Sequence, residues 1–153
     1  MMGGVIGIGC DHAGLDLKTK IIWFIENTQN INVTVKDFGC YEPVSVDYPD
    51  YGLLVANAVS TGKVSRGILI CGTGLGMSIV ANKIMGIRAT LCNDILTAKM
   101  SREHNDSNIL VMGSRIIGED VARMVTWTWL TTLYEGGRHD RRLAKIHEME
   151  SVC

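Results

Sequence analysis

Short apolar runs separated by amphipathic stretches decide what this chain can fold into. Val5–Cys10 (VIGIGC), Gly67–Cys71 (GILIC) and Ile109–Met112 (ILVM) carry no charge at any position. A strand turns its side chains alternately to two faces, so a run that is apolar throughout must be covered on both. Val33–Phe38, which alternates, and Ile87–Cys92 complete a set of five strands. Helical patterns lie between them. They are Leu15–Glu26, with Leu17, Ile21, Phe24 and Ile25 on one stripe, a helix capped by Asp50 and running to Ala58, then Met77–Lys83, Ile95–Arg102, Glu119–Tyr134 and a charged helix from Asp140. Tyr41–Tyr48 reads as a loop. Strands buried on both faces and alternating with helices form a parallel sheet. The expected fold is a three-layer α/β sandwich around a five-stranded parallel, Rossmann-like sheet of order 2-1-3-4-5, in one domain spanning residues 1–153.

Composition removes several classes of function. Fifteen Lys and Arg against 16 Asp and Glu leave a net charge of −1, which lacks the field of a nucleic-acid or membrane-surface binder. No run of 18 apolar residues exists to span a bilayer. The five cysteines, Cys10, Cys40, Cys71, Cys92 and Cys153, are odd in number and lack C-x-x-C spacing. Neither a disulfide framework nor a zinc site is indicated, and a reducing, cytoplasmic location is expected. Met1–Gly4 lacks the basic start and cleavage site of a secretion signal.

In an open parallel sheet, ligands bind beyond the carboxyl ends of the strands where strand order reverses, here between strands one and three. That places Cys10–Gly14 and Cys71–Gly76 in one crevice. In Cys71-Gly72-Thr73-Gly74-Leu75-Gly76 the alternating glycines let backbone N–H groups face an anion, either a phosphate or a developing oxyanion. The spacing fits neither the Walker A nor the dinucleotide pattern. N–H groups turned toward its sulfur would favour a thiolate, which makes Cys71 a candidate base or nucleophile, against a reading as a small buried hydrophobe. Cys10 is a weaker competitor; Cys40, Cys92 and Cys153 read as structural or incidental. Asp11 and His12 suit hydroxyl binding, proton transfer or an anion contact, unless Asp11 only caps the following helix. Asp37 stands where a dinucleotide's ribose needs an acid, but the bulk of Asp11 and His12 occupies the place of bare backbone. His104 sits in a polar cluster, Arg102–Asn108, in which Asn105 and Asn108 also suit a turn. Arg138 and Arg142 are spaced i,i+4 and could converge on a phosphate dianion, against a solvated helix face, which suits Arg141 best.

The motifs GCDHAG (Gly9–Gly14), DYP (Asp47–Pro49), GILICGTGLGMSIVANK (Gly67–Lys83), GIRA (Gly86–Ala89), SREHNDSN (Ser101–Asn108), MGSR (Met112–Arg115) and YEGGRH (Tyr134–His139) occur in the order found in type B ribose-5-phosphate isomerases. The chain resembles that family, which includes allose-6-phosphate and galactose-6-phosphate isomerases, from its first strand to its last helix. The resemblance implies an aldose–ketose isomerase for ribose 5-phosphate and ribulose 5-phosphate, acting without metal or organic cofactor. Cys71 would move the proton between C1 and C2; a second branch of the family carries a glutamate where this chain has Met77. Thr73 and the amides of Gly72, Gly74 and Gly76 would hold the enediolate oxygen. His104 would open the sugar ring with help from Asp11, and Asn105 would hold sugar oxygens. His12, Arg115, Arg138 and Arg142 would contact the phosphate. In relatives the last helix's arginines reach a neighbouring subunit, which implies a homodimer with shared active sites. His139 receives no role. A six-carbon sugar-phosphate isomerase and a non-catalytic sugar-phosphate or nucleotide-binding module are the alternatives.

Overall fold

The computed structural model describes residues 4–150; Met1–Gly3 and Cys153 lie outside them. Strands β1 (Gly4–Cys10), β2 (Val33–Asp37), β3 (Arg66–Cys71), β4 (Ala89–Leu91) and β5 (Ile109–Gly113) form one sheet, every neighbouring pair parallel. Helices α1 (Leu15–Asn27), α2 (Tyr48–Ser60), α3 (Leu75–Ala81), α4 (Ile95–Asn105), α5 (Glu119–Thr131) and α6 (Asp140–Glu150) complete it. Alternation within each central strand builds two cores. Ile68, Ile70, Leu110 and Met112 face α1, α4 and α5, where Ile21, Ile25, Ala98, Val125 and Trp129 meet them. Leu69, Cys71, Ile109 and Val111 face Val55 and Ala56 of α2 and Met77 and Ala81 of α3. The expected sandwich is therefore present.

Strand order is 2-1-3-5-4 instead of 2-1-3-4-5. The reason is burial. Every residue of β5 is buried, whereas in the three-residue β4 only Ala89 is, with Thr90 and Leu91 partly exposed. The strand with no polar position takes the place beside β3, pairing Gly67 with Ile109 and Cys71 with Gly113, and β4 becomes the edge. The reversal point between β1 and β3 is unaffected.

Several helix ends also move. α2 starts at Tyr48 with Pro49 in its first turn, so Asp47, not Asp50, holds the N-cap position. α4 continues past Arg102 to Asn105, started by Asp94, whose carboxylate accepts the Thr97 N–H at 2.8 Å. α5 stops at Thr131, which frees Tyr134 and Glu135 from helix. No helix among the described residues is long and apolar enough to cross a membrane. Ile68 is fully buried at the centre of the sheet. Ile68→Ala should therefore lower unfolding free energy by about 2–5 kcal/mol, read from urea denaturation.

Candidate functional site

Because β1 and β3 are neighbours, the loops that leave their carboxyl ends lie side by side. Cys71, 5% exposed, ends β3, and the Gly74 N–H donates to its sulfur at 3.1 Å. Gly74 can turn that N–H back only by adopting φ +78°, and a Cβ there would lie 2.4 Å from Leu91 Cδ1. Thr73 is exposed, its hydroxyl oxygen accepting the Leu75 N–H at 3.4 Å. The β5–α5 turn is stitched alongside: Ser114 N–H donates to Cys71 O and Arg115 N–H to Gly72 O, each at 2.9 Å. The exposed Arg115 guanidinium thus flanks Gly72. Met77, where the other branch of the resembled family has its glutamate, is fully buried against α2 and belongs to the core.

Asp11 is buried, and its Oδ1 accepts the Gly14 N–H at 3.0 Å, so the expected capping contact is made. His12 Nδ1 accepts the Val46 N–H at 3.2 Å. A neutral ring held that way carries its proton on Nε2. The two rival readings at this end have physical answers. Burial pushes the Cys10 thiol up to about 12, removing it as a base near neutrality. Asp37, the acid a dinucleotide would need, is taken by buried Lys18, whose Nζ lies 2.7 and 2.8 Å from its two oxygens.

His104, Asn105, Arg138 and Arg142 gather elsewhere. His104 lies in the last turn of α4, and the His139 ring stacks on it with centroids 4.4 Å apart and planes 15° apart. The Glu135 N–H donates to Glu103 O at 3.1 Å, tying the segment after α5 to the end of α4. Gly136 and Gly137, at φ +65° and +61°, then fold a 3-10 turn (Gly137–His139) back over His104. Arg138 Nε donates to His139 Nε2 at 3.3 Å, an Arg142 terminal nitrogen lies 3.4 Å from His139 Nδ1, and Glu135 Oε2 is 3.7 Å from Nε2. His139 is held below the ordinary histidine pKa by its burial first, then by His104, Arg138 and Arg142, with Glu135 opposing. Asn105 is exposed, and its carbonyl accepts the Arg88 Nε–H at 3.0 Å. His139 was assigned no role from sequence; the Gly-Gly turn before it was the available signal.

These two groups occupy opposite ends of the sheet. β5 runs parallel to β3, and α4 enters β5 from the end where Gly67 pairs with Ile109, while Cys71 sits at the far end. Four strand steps of about 3.3 Å separate those levels, roughly 13 Å along the sheet. One chain therefore carries two separate groups, Asp11, His12, Cys71–Gly76 and Arg115 at one end of the sheet, and His104, Asn105, Arg138 and Arg142 at the other. The resemblance implied that the arginines of the last helix serve a neighbouring subunit's site; within one chain they lie with His104 and Asn105, away from Cys71.

A model of the family described as ribose/galactose isomerase matches residues 6–146. The chain belongs to that family. It is 46% identical over 145 residues to ribose-5-phosphate isomerase B of Escherichia coli, covering 95% of each chain. The solved ribose-5-phosphate isomerase B of Clostridium thermocellum is 51% identical, with a TM-score of 0.92 over 97% of this chain and 98% of the other. That of Mycoplasma genitalium, solved with bound ribulose 5-phosphate, is 36% identical, with a TM-score of 0.92 over 100% and 99%. Membership makes this chain a sugar-phosphate isomerase on a Rossmann-like parallel sheet.

Proposed function

We propose that this isomerase interconverts D-ribose 5-phosphate and D-ribulose 5-phosphate in two composite active sites of a homodimer, in the cytoplasm. The reading is carried by one observation: an acid–base half and a histidine–arginine half lie at opposite ends of one sheet, so a second copy must bring them together. α6 supports the same reading. None of its residues is buried, although Leu143, Ile146 and Met149 recur on one side. That stripe needs a cover, and the partner subunit provides it. The unbonded cysteines of the described residues, Cys10, Cys40, Cys71 and Cys92, fit a reducing compartment.

In the composite site, His104 of one subunit opens the ring, giving a proton to the ring oxygen as the anomeric hydroxyl loses its own, with Asp11 of the other assisting. Cys71, as thiolate, takes the C2 proton of the open aldose. The electron pair moves onto the C1 carbonyl oxygen, giving an enediolate that Thr73 and the amides of Gly72, Gly74 and Gly76 stabilise. Cys71 returns its proton to C1, and the O2 proton passes to O1, which gives the C2 carbonyl and C1 hydroxyl of the ketose. Asn105 holds sugar hydroxyls. His12 and Arg115 from one subunit, with Arg138 and Arg142 from the other, hold the phosphate and thereby position the reacting carbons.

Activity on ribose 5-phosphate measured beside allose and galactose 6-phosphates tests the substrate assignment. A higher kcat/KM for a six-carbon sugar phosphate would overturn it, and ligand binding without turnover would return the chain to a binding module. Arg142→Ala should raise KM for ribose 5-phosphate about tenfold or more, the worth of one charge-assisted contact, with a smaller change in kcat. An unchanged KM would assign Arg142 to a solvated helix face.

A further inference from the structure

We propose that His104, Glu135 and His139 form a binding site for a divalent transition metal of the zinc type, and that occupancy of this site inhibits the enzyme. The catalytic sequence above gives neither Glu135 nor His139 a task, yet both are fixed beside His104. Two imidazoles and one carboxylate are the nitrogen and oxygen donor set that zinc accepts. One ligand atom from each of the three residues lies within 4.8 Å of the others. Tetrahedral zinc with bonds of about 2.0–2.1 Å needs such atoms roughly 3.3 Å apart, so the group is ~1.5 Å from closure. His139 Nε2 and Glu135 Oε2 are already 3.7 Å apart.

The backbone places these groups before any metal arrives. The Glu135 N–H is anchored on Glu103 O, next to the first ligand, and the two positive-φ glycines return the chain so that His139 stacks on His104. His139 is buried, while the Glu135 side chain is 52% exposed. Lone pairs of stacked imidazoles lie in nearly parallel ring planes, so the half-buried His104 turns out of the stack to meet an ion on His139, and the carboxylate closes over that ion from solvent. A water completes the tetrahedron.

Two guanidiniums oppose the metal. Arg138 Nε and an Arg142 terminal nitrogen approach the His139 ring at 3.3 and 3.4 Å, long for charge-assisted hydrogen bonds. Both arginines are exposed, so they can swing into solvent, and their departure leaves the imidazole nitrogens free for coordination. Metal binding stands on the geometry alone. Inhibition rests on the reading of His104 as the ring opener: a metal on its lone pair takes the electrons that would accept a proton.

Isothermal titration of chelator-treated protein with Zn²⁺, in a Cys71→Ala, Cys153→Ala background that removes the thiol after β3 and the C-terminal thiol, should show one ion bound per subunit. Glu135→Gln and His139→Ala should each weaken binding by about tenfold or more, at least what loss of an outer-shell partner costs. With Co²⁺ as a spectroscopic substitute, the thiolate-to-metal charge-transfer band should be absent. In the Cys71-containing enzyme, Zn²⁺ should suppress turnover of ribose 5-phosphate and EDTA restore it, while Glu135→Gln should keep its metal-free activity and resist Zn²⁺. Undetectable Zn²⁺ binding, affinity unchanged in Glu135→Gln, or a thiolate band would overturn the site. The exposed position of Glu135 keeps the test open should His139→Ala fail to fold. Metal binding of the expected kind to a protein without isomerase activity would leave the site standing and overturn only the functional reading.

Discussion

Cys71→Ala is expected to lower kcat on ribose 5-phosphate by about 10²–10⁴-fold, the range supplied by one positioned acid–base group, with the fold retained. The sulfur lies at the end of a central strand, only 5% exposed, with the Gly74 N–H 3.1 Å away. That contact fixes the sulfur at the mouth of the loop, and its loss removes the proton acceptor of the proposed reaction without touching the proposed phosphate contacts. KM should therefore move much less than kcat. Alanine leaves a space smaller than a methyl-sized defect in larger side chains, so thermal unfolding should shift by only a few degrees, corresponding to about 1 kcal/mol. A variant with near-wild-type kcat would remove Cys71 from the role of base.

His104→Asn should divide substrates by their ring chemistry. On ribose 5-phosphate, which reaches the site mostly cyclic, the expected loss in kcat/KM is about 10²-fold or more. On a four-carbon aldose 4-phosphate, whose ring-closing hydroxyl is esterified, ring opening is not required and the defect should be small. Stacking against His139 gives asparagine a flat surface to occupy, and the last turn of α4 remains capped by its own backbone bonds from Asp106 to Arg102 and Ser101. Equal losses on both substrates would assign His104 to general site structure and not to ring opening.

The parts legible in the sequence were those written in local pattern. VIGIGC and GILIC could only be strands covered on two faces, and the turns after them carried the candidate chemistry because a parallel sheet delivers its loops to one end. The position of Cys71, Thr73 and the glycines on the turn after β3 was legible in this way. The order of β4 and β5 was not legible in the same way, because it depends on a comparison between strands. ILVM outcompetes the shorter, partly polar Ala89–Leu91 for the place beside β3. The separation of His104 from Cys71 was implicit in chain direction, since His104 precedes a strand and Cys71 ends one. Its consequence appears only once β3 and β5 are seen to run side by side in register. The stack of His139 on His104 was beyond local pattern: it depends on the early end of α5 at Thr131, two glycines at positive φ and a single backbone bond from Glu135 to Glu103.

Subunit mixing tests the composite site most directly. Cys71→Ala and His104→Asn homodimers are each inactive on ribose 5-phosphate, because every site in them carries one lesion. In a hybrid dimer with halves contributed across the interface, one site collects both lesions and the other collects neither. Coexpression of the two variants with random assortment should therefore restore about a quarter of wild-type activity per subunit. A purified hybrid, isolated by differential tags, should carry about half. A hybrid dimer as inactive as its parents would contradict the shared site and place Cys71 and His104 in action within one subunit.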